Sequence, residues 1–166
     1  ITMSQGAVIN AASDTLLRAD YDPDGVSDLG STIEIGGTVR GASVIIAGGD
    51  DDDTISISRV EASMNVLAGA GNDTIYTGSE ALSADRTGGL LNTLAGELII
   101  DGQEGTDKLL LDNSGDIAGS RGSLSDNPIQ GDLVDGARTR LGMVDGFGIL
   151  GSLQYNRDTL EELTLT

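Results

Sequence analysis

The chain has no cysteine and no histidine, a single lysine (Lys108) and only two prolines among its 166 residues. Without cysteine neither a disulfide framework nor a thiolate metal site can form, and without histidine zinc loses its other usual ligand. For a metal, only oxygen donors remain, the ligand type of hard cations such as calcium. Aromatics are confined to Tyr21, Tyr76, Phe147 and Tyr155, too few for a globular core built on large rings or for a sugar-stacking platform. No apolar run approaches the ~20 residues of a membrane span, and no basic-then-apolar leader opens the chain. Membrane insertion is therefore not expected, and a start at Ile1 reads as a piece of a larger polypeptide. Catalysis also lacks its usual parts. No His or Cys can serve as base or nucleophile, and the carboxylates cannot be told apart from metal ligands, so an enzyme is not expected.

Acid and glycine are what the chain has in excess: 27 acidic against 9 basic residues, a formal charge of -18, and 25 glycines. Nucleic acid and anionic membranes are electrostatically poor partners for such a chain, whereas divalent cations are good ones. The self-repulsion opposes compaction, so the expectation is a chain that is loose without metal and orders when metal arrives. Oxygen sites with dissociation constants of roughly 0.1 to 1 mM are filled in a calcium-rich extracellular setting.

Apolar runs are short, β-branched and bounded by Gly or Asp: Thr32 to Ile35, Ser43 to Ile46, Asp53 to Ile57, Thr74 to Tyr76, Leu98 to Ile100 and Leu109 to Leu111. They read as strands between tight turns and predict an all-β fold with little helix. The best helical stretches are Ala7 to Arg18, Ser79 to Asp85 and Arg157 to Leu163.

A repeat emerges around three aspartates. Gly48-Gly49-Asp50-Asp51-Asp52-Asp53-Thr54-Ile55-Ser56, Ala68-Gly69-Ala70-Gly71-Asn72-Asp73-Thr74-Ile75-Tyr76 and Gly102-Gln103-Glu104-Gly105-Thr106-Asp107-Lys108-Leu109-Leu110 align without gaps. Position six is always Asp and position eight is Ile55, Ile75 or Leu109. Two and four residues upstream stand Ile46 and Val44, Val66 and Met64, and Ile100 and Leu98, alternating as a strand with one buried face does. The repeated unit thus includes a strand as well as its loop.

These copies resemble the nonapeptide G-G-x-G-x-D-x-U-x of the RTX, or hemolysin-type, calcium-binding repeat family. The resemblance implies a parallel β-roll or β-solenoid in which the loops of Gly48, Gly69, Gly71, Gly102 and Gly105 expose carbonyl oxygens to calcium. Asp53, Asp73 and Asp107, with Asp50 in the first loop, would be the charged ligands. Asp51 replaces the fourth-position glycine, Ala68 the first and Gln103 the second; Asp tolerates positive φ better than most residues, which keeps the first copy compatible. The aspartates are 20 residues apart (53 to 73) and then 34 (73 to 107), so the copies are not tandem nonapeptides. A step near 20 matches one coil, which stacks successive aspartates on one edge about 4.8 Å apart. The third copy then lies one coil on, with residues 79 to 97 partly looped out. Calcium would bridge Asp53 with Asp73 and Asp73 with Asp107.

A second acidic signal is Asp20-Tyr21-Asp22-Pro23-Asp24-Gly25-Val26-Ser27-Asp28, with carboxylates at loop positions one, three, five and nine and a glycine at six. It resembles EF-hand-like calcium loops, making Asp20, Asp22, Asp24 and Asp28 candidate ligands, although Ser31 stands where an EF-hand has its bidentate Glu. The alternative is an acidic surface turn.

Downstream, Leu109 to Asp116, Leu141-Gly142-Met143, Leu153-Gln154-Tyr155 and Leu160 to Thr166 resemble a module of very large repetitive bacterial surface proteins. The expected organisation is one elongated unit over 1–166: an N-terminal segment 1–31, RTX-like coils 32–111 and loop-rich coils 112–166. The expected role is a calcium-stabilised structural repeat of an extracellular protein, an adhesin stalk, surface layer or filament. Its partners would be flanking repeats or further copies of itself, with surface glycans as a second class. The alternatives are a carbohydrate-binding or accessory module of a secreted polysaccharide-processing enzyme, and a toxin or protease secretion domain, which tandem nonapeptides would favour.

Overall fold

The computed structural model describes residues 1–19, 29–127 and 140–166. Among these, the N-terminal strands are β1 (Thr2–Met3), β2 (Val8–Asn10), β3 (Thr15–Arg18), β4 (Thr32–Ile35) and β5 (Thr38–Arg40). The repeat region holds β6 (Val44–Gly49), β7 (Thr54–Ile57), β8 (Met64–Gly71), β9 (Thr74–Thr77), β10 (Glu97–Gly105) and β11 (Lys108–Leu111). The last four are β12 (Gly122–Asn127), β13 (Leu141–Gly146), β14 (Ser152–Asn156) and β15 (Glu162–Leu165), and a 3-10 turn lies at Leu91–Thr93. The protein is all-β.

Two sheets organise the chain. One has six strands in the order β1-β4-β7-β9-β11-β15, all parallel. The other has seven, in the order β12-β13-β14-β10-β8-β6-β3, and is mixed: β3 through β14 pair in parallel, while β12 and β13 join antiparallel. β2 and β5 form a separate parallel pair. From β6 to β11 the chain alternates between the two sheets, one strand in each.

Period-two patterning turns this arrangement into a core. In β6, Val44, Ile46 and Gly48 are buried while Ile45, Ala47 and Gly49 are only half-buried. Parallel register then stacks like on like. Ile33, Ile55, Ile75 and Leu109 form one buried column, and Val44, Met64, Leu98 and Leu153 another. Both columns belong to a single hydrophobic cluster that joins the inner faces of the two sheets. Each buried Ile or Leu contributes about 1.5–3 kcal/mol, which lets a slender cluster with few aromatics order the chain.

Register also reproduces the sequence repeat residue by residue. Gly49, Gly69 and Gln103 align across β6, β8 and β10, as do Gly71 and Gly105. β9 lies directly beside β11, so the additional residues of the longer step leave the sheets between these neighbours. Leu91 and Leu94 from that inserted segment are fully buried, and the backbone N–H groups of Ala95 and Gly96 donate to the carbonyl oxygen of Val60.

The three helical stretches do not form α-helix. Residues 7 to 18 contain β2 and β3, which pair with β5 and β6; cross-strand pairing overrides a helix-compatible composition there. Residues 79 to 85 are turns and bends following Gly78, whose φ of +133° no helix accommodates. Residues 157 to 163 form a turn and then enter β15 against β11. The antiparallel β12–β14 unit also departs from an all-parallel expectation. Its glycines seat aromatic rings: a Cβ on Gly122 would lie 2.2 Å from the Phe147 ring and one on Gly142 2.2 Å from that of Tyr155.

Candidate metal centre

Asp53, Asp73 and Asp107 each stand one residue before β7, β9 and β11, and because those strands are neighbours in register the three aspartates form a column. All three are buried, at 2%, 0% and 0% exposure. Their first oxygens are committed to the backbone. Asp53 N–H donates to Asp73 Oδ1 at 2.7 Å, Asp73 N–H to Asp107 Oδ1 at 2.8 Å, and Ser31 N–H to Asp53 Oδ1 at 2.5 Å. Each carboxylate caps the turn of the preceding strand, as Asp does in tight turns.

The column has a fourth acidic member that the repeat did not reveal. Asp107 N–H donates to Glu161 Oε2 at 2.7 Å, so Glu161, just ahead of β15, serves where an aspartate serves elsewhere. No glycine loop precedes it, so no motif flags it. Its only signal is the Leu160-Glu161-Glu162-Leu163 lead into a strand.

The second oxygens are different. Among the described residues, Asp73 Oδ2 and Asp107 Oδ2 are buried and accept no hydrogen bond. Leaving a carboxylate oxygen buried without a partner costs more than an ordinary unmade hydrogen bond. Burial pushes the Asp73 carboxyl up to about 7, aided by the charges of Asp107, Asp53 and Asp52 and opposed by the hydrogen bond from Asp53. Asp107 is raised as well, by burial first and then by Glu161 and Asp101.

Glycines make the close stacking possible. A Cβ on Gly102 would fall 2.2 Å from Asp107 Oδ2, and one on Gly48 2.3 Å from Asp53 Oδ2. Gly69, Gly71 and Gly105 have φ of +121°, +123° and +132°, and a Cβ on Gly105 would lie 1.6 Å from the Gly71 carbonyl oxygen. In this column Gln103 adopts φ +75° without being glycine, whereas Asp51 does not have positive φ, so the expected tolerance of Asp for that conformation is not what accommodates the first copy. Asp50 is exposed and faces the shallow groove of Leu16, Ile45 and Leu67 on the outer side of the seven-stranded sheet, away from the column. Asp20, Asp22, Asp24 and Asp28 lie outside the described residues.

Calcium is the ion that the RTX resemblance implies. Among the described residues no three acidic side chains gather in a metal-holding group, so side chains alone do not build a cage. The column nonetheless matches a hard cation in donor type and in charge, through its two orphaned carboxylate oxygens and the stacked glycine turns beside them.

A pH response follows for the chain in chelator. The folded-state value of Asp73 lies above its ordinary 3.8, so the folded chain binds the proton more tightly than the unfolded one. Stability is then fully present below 3.8 and is lost as pH rises through about 7. Asp112, Asp116, Asp158 and Glu61 are shifted the other way and act only below their ordinary values of 3.8 and 4.5. In EDTA the melting temperature should therefore climb as pH falls from 8 to 5 in a thermal-denaturation series. A flat profile would contradict the buried, ion-free carboxyl.

Asp112 is a further buried carboxylate, outside the column, with an opposite environment. It directly follows β11 and accepts from Gly89 N–H (2.7 Å), Ser114 N–H (2.9 Å), Ser114 Oγ (2.6 Å) and Thr166 Oγ1 (3.3 Å). Burial works against its charge, but the Ser114, Gly89 and Thr166 hydrogen bonds hold its carboxyl below the usual range. It is a structural pin that ties the inserted segment to the sheet.

Compared with protein-family models, with curated proteins and with solved structures, the chain matches none. Among the described residues, no helix is long and apolar enough to cross a membrane.

Proposed function

We propose that this chain is a calcium-stabilised structural repeat of an extracellular bacterial surface protein, wound as a parallel β-roll whose aspartate-bearing turns are clipped together by the ion. The single observation behind this reading is the column of Asp53, Asp73 and Asp107, in register on adjacent parallel strands, with buried carboxylate oxygens on Asp73 and Asp107 that no described residue satisfies. Asp73 and Asp107 would hold one ion through these oxygens, and Asp53 with Asp73 would hold a second between the preceding pair of turns. Carbonyl oxygens of the Gly48, Gly69, Gly71, Gly102 and Gly105 turns would complete their oxygen shells. Bound calcium would supply positive charge between stacked carboxylates, turning repulsion into a cross-link. The chain's own part is to present the carboxylates in register and to keep water from their inner oxygens.

A stalk or filament role requires that units join stiffly, with a flanking repeat or second copy as the partner. Two copies fused end to end should scatter X-rays as one stiff rod in calcium and as a much looser chain in EDTA. Two beads moving independently in calcium would overturn the stalk reading.

A further inference from the structure

A cavity of about 340 Å³ opens where the carboxyl ends of β9, β11 and β15 meet the inserted segment. It is remote from the aspartate column, which lies at the opposite ends of the same strands. Pockets that hold small ligands start at roughly this volume. One wall carries Arg86, which is held three ways: its backbone sits at φ +47°, its Nε donates to the Ala81 carbonyl oxygen at 3.2 Å, and its guanidinium lies 3.9 Å from the centre of the Tyr76 ring. Among the described residues nothing accepts the N–H groups of its two terminal nitrogens. A guanidinium fixed by a cation–π contact with two nitrogens open is pre-organised for a carboxylate, which it binds through paired hydrogen bonds.

The rest of the cavity is built for hydroxyls. Thr77, 1% exposed and in register with Ile57 and Leu111, turns its hydroxyl to the buried face of the sheet and is out of a ligand's reach. The accessible hydroxyls are those of Thr87 and Thr164, and Leu110 gives an apolar floor. Two carboxylates face the same space. That of Asp112 is already taken by four hydrogen bonds, whereas exposed Asp85 accepts, among the described residues, only from Ser83 Oγ and can take a ligand hydroxyl. With a chain charge of -18, a polyanion is repelled, so the matching ligand carries one carboxylate on a neutral polyhydroxylated body.

We propose that this cavity binds a uronic-acid sugar, its carboxylate on Arg86 and its hydroxyls on Thr87, Thr164 and Asp85. The test is a titration of the intact chain, in calcium-containing buffer, with sodium glucuronate, glucose and sodium glutamate, followed by NMR shifts of residues 76–87 and 110–114. Glucuronate should give saturable shifts in these segments, and glucose and glutamate should bind far more weakly. Arg86→Gln should weaken glucuronate roughly 10- to 100-fold, the loss of a charge-assisted hydrogen-bonded pair. Absence of saturable shifts with glucuronate overturns the site, as does glucose binding equally well. Glutamate binding as tightly as glucuronate overturns the sugar assignment. The wild-type comparison decides the matter even where the variant fails to fold.

Discussion

Stripping divalent ions with EDTA is expected to leave the fold only marginally stable, with a sharply lowered melting temperature and weakened β-sheet circular dichroism, and excess calcium is expected to restore both. The expectation follows from magnitudes. An ion that binds only the folded state at a hundred times its dissociation constant stabilises by about 2.7 kcal/mol per site. Two inter-turn sites, one shared by Asp53 and Asp73 and one by Asp73 and Asp107, would contribute roughly 5 kcal/mol. That is the whole net stability of many domains. The formal charge of -18 sharpens the contrast, because self-repulsion weakens the ion-free state. Magnesium, which dehydrates reluctantly and demands near-ideal octahedral geometry, should restore much less. A chelated chain with an unchanged spectrum and melting temperature would mean that the column is only a hydrogen-bonded ladder.

The second large effect concerns Asp73, which serves both proposed sites. Asp73→Asn keeps an acceptor for Asp53 N–H but loses the charge. In saturating calcium it should therefore cost up to about 5 kcal/mol, the contribution of both ions. In EDTA the same variant should be as stable as the parent or more so, because it removes a buried carboxylate whose neighbours Asp107 and Asp53 disfavour its charge. Asp73→Ala is different: it leaves Asp53 N–H without its acceptor and should cost about 1–3 kcal/mol with or without calcium. Calorimetric ion uptake should also fall more for Asp73→Ala than for Asp28→Ala. Urea denaturation with and without calcium checks the pattern, and an Asn variant that loses equal stability in both buffers would refute the proposed role of the charge.

Much of this was legible in the residues. The gapless alignment around Asp53, Asp73 and Asp107 anticipated the strand register, because a parallel sheet with one buried face places equivalent residues side by side. The longer step to Asp107 anticipated an insertion for the same reason, since β9 and β11 must still pair. What was hidden is what has no period. Residues 7 to 18 alternate too poorly to announce β2 and β3, whose existence rests on partners 29 or 30 residues away, such as Thr38 for Val8 and Val44 for Thr15. The antiparallel turn-back of β12 to β14 rests on glycines that accommodate Phe147 and Tyr155, a contact visible only in three dimensions. Glu161 and the Arg86–Tyr76 pair were hidden in the same way. Each acquires its role from a residue distant in sequence or from an irregular loop, and neither Glu161 nor Arg86 sits in a repeated pattern.

The column's dual character explains why the repeat could suggest either a metal or a cap. One oxygen of each aspartate caps the neighbouring turn, and that use alone would justify an Asp at position six. The second oxygens of Asp73 and Asp107 are what a cap leaves unexplained. A crystal structure of the calcium-loaded chain addresses them directly. Electron density for an ion between Asp73 Oδ2 and Asp107 Oδ2, at the 2.3–2.6 Å typical of calcium–oxygen bonds, is the predicted result. The same two oxygens with no ion beside them, in crystals grown in calcium, would contradict it.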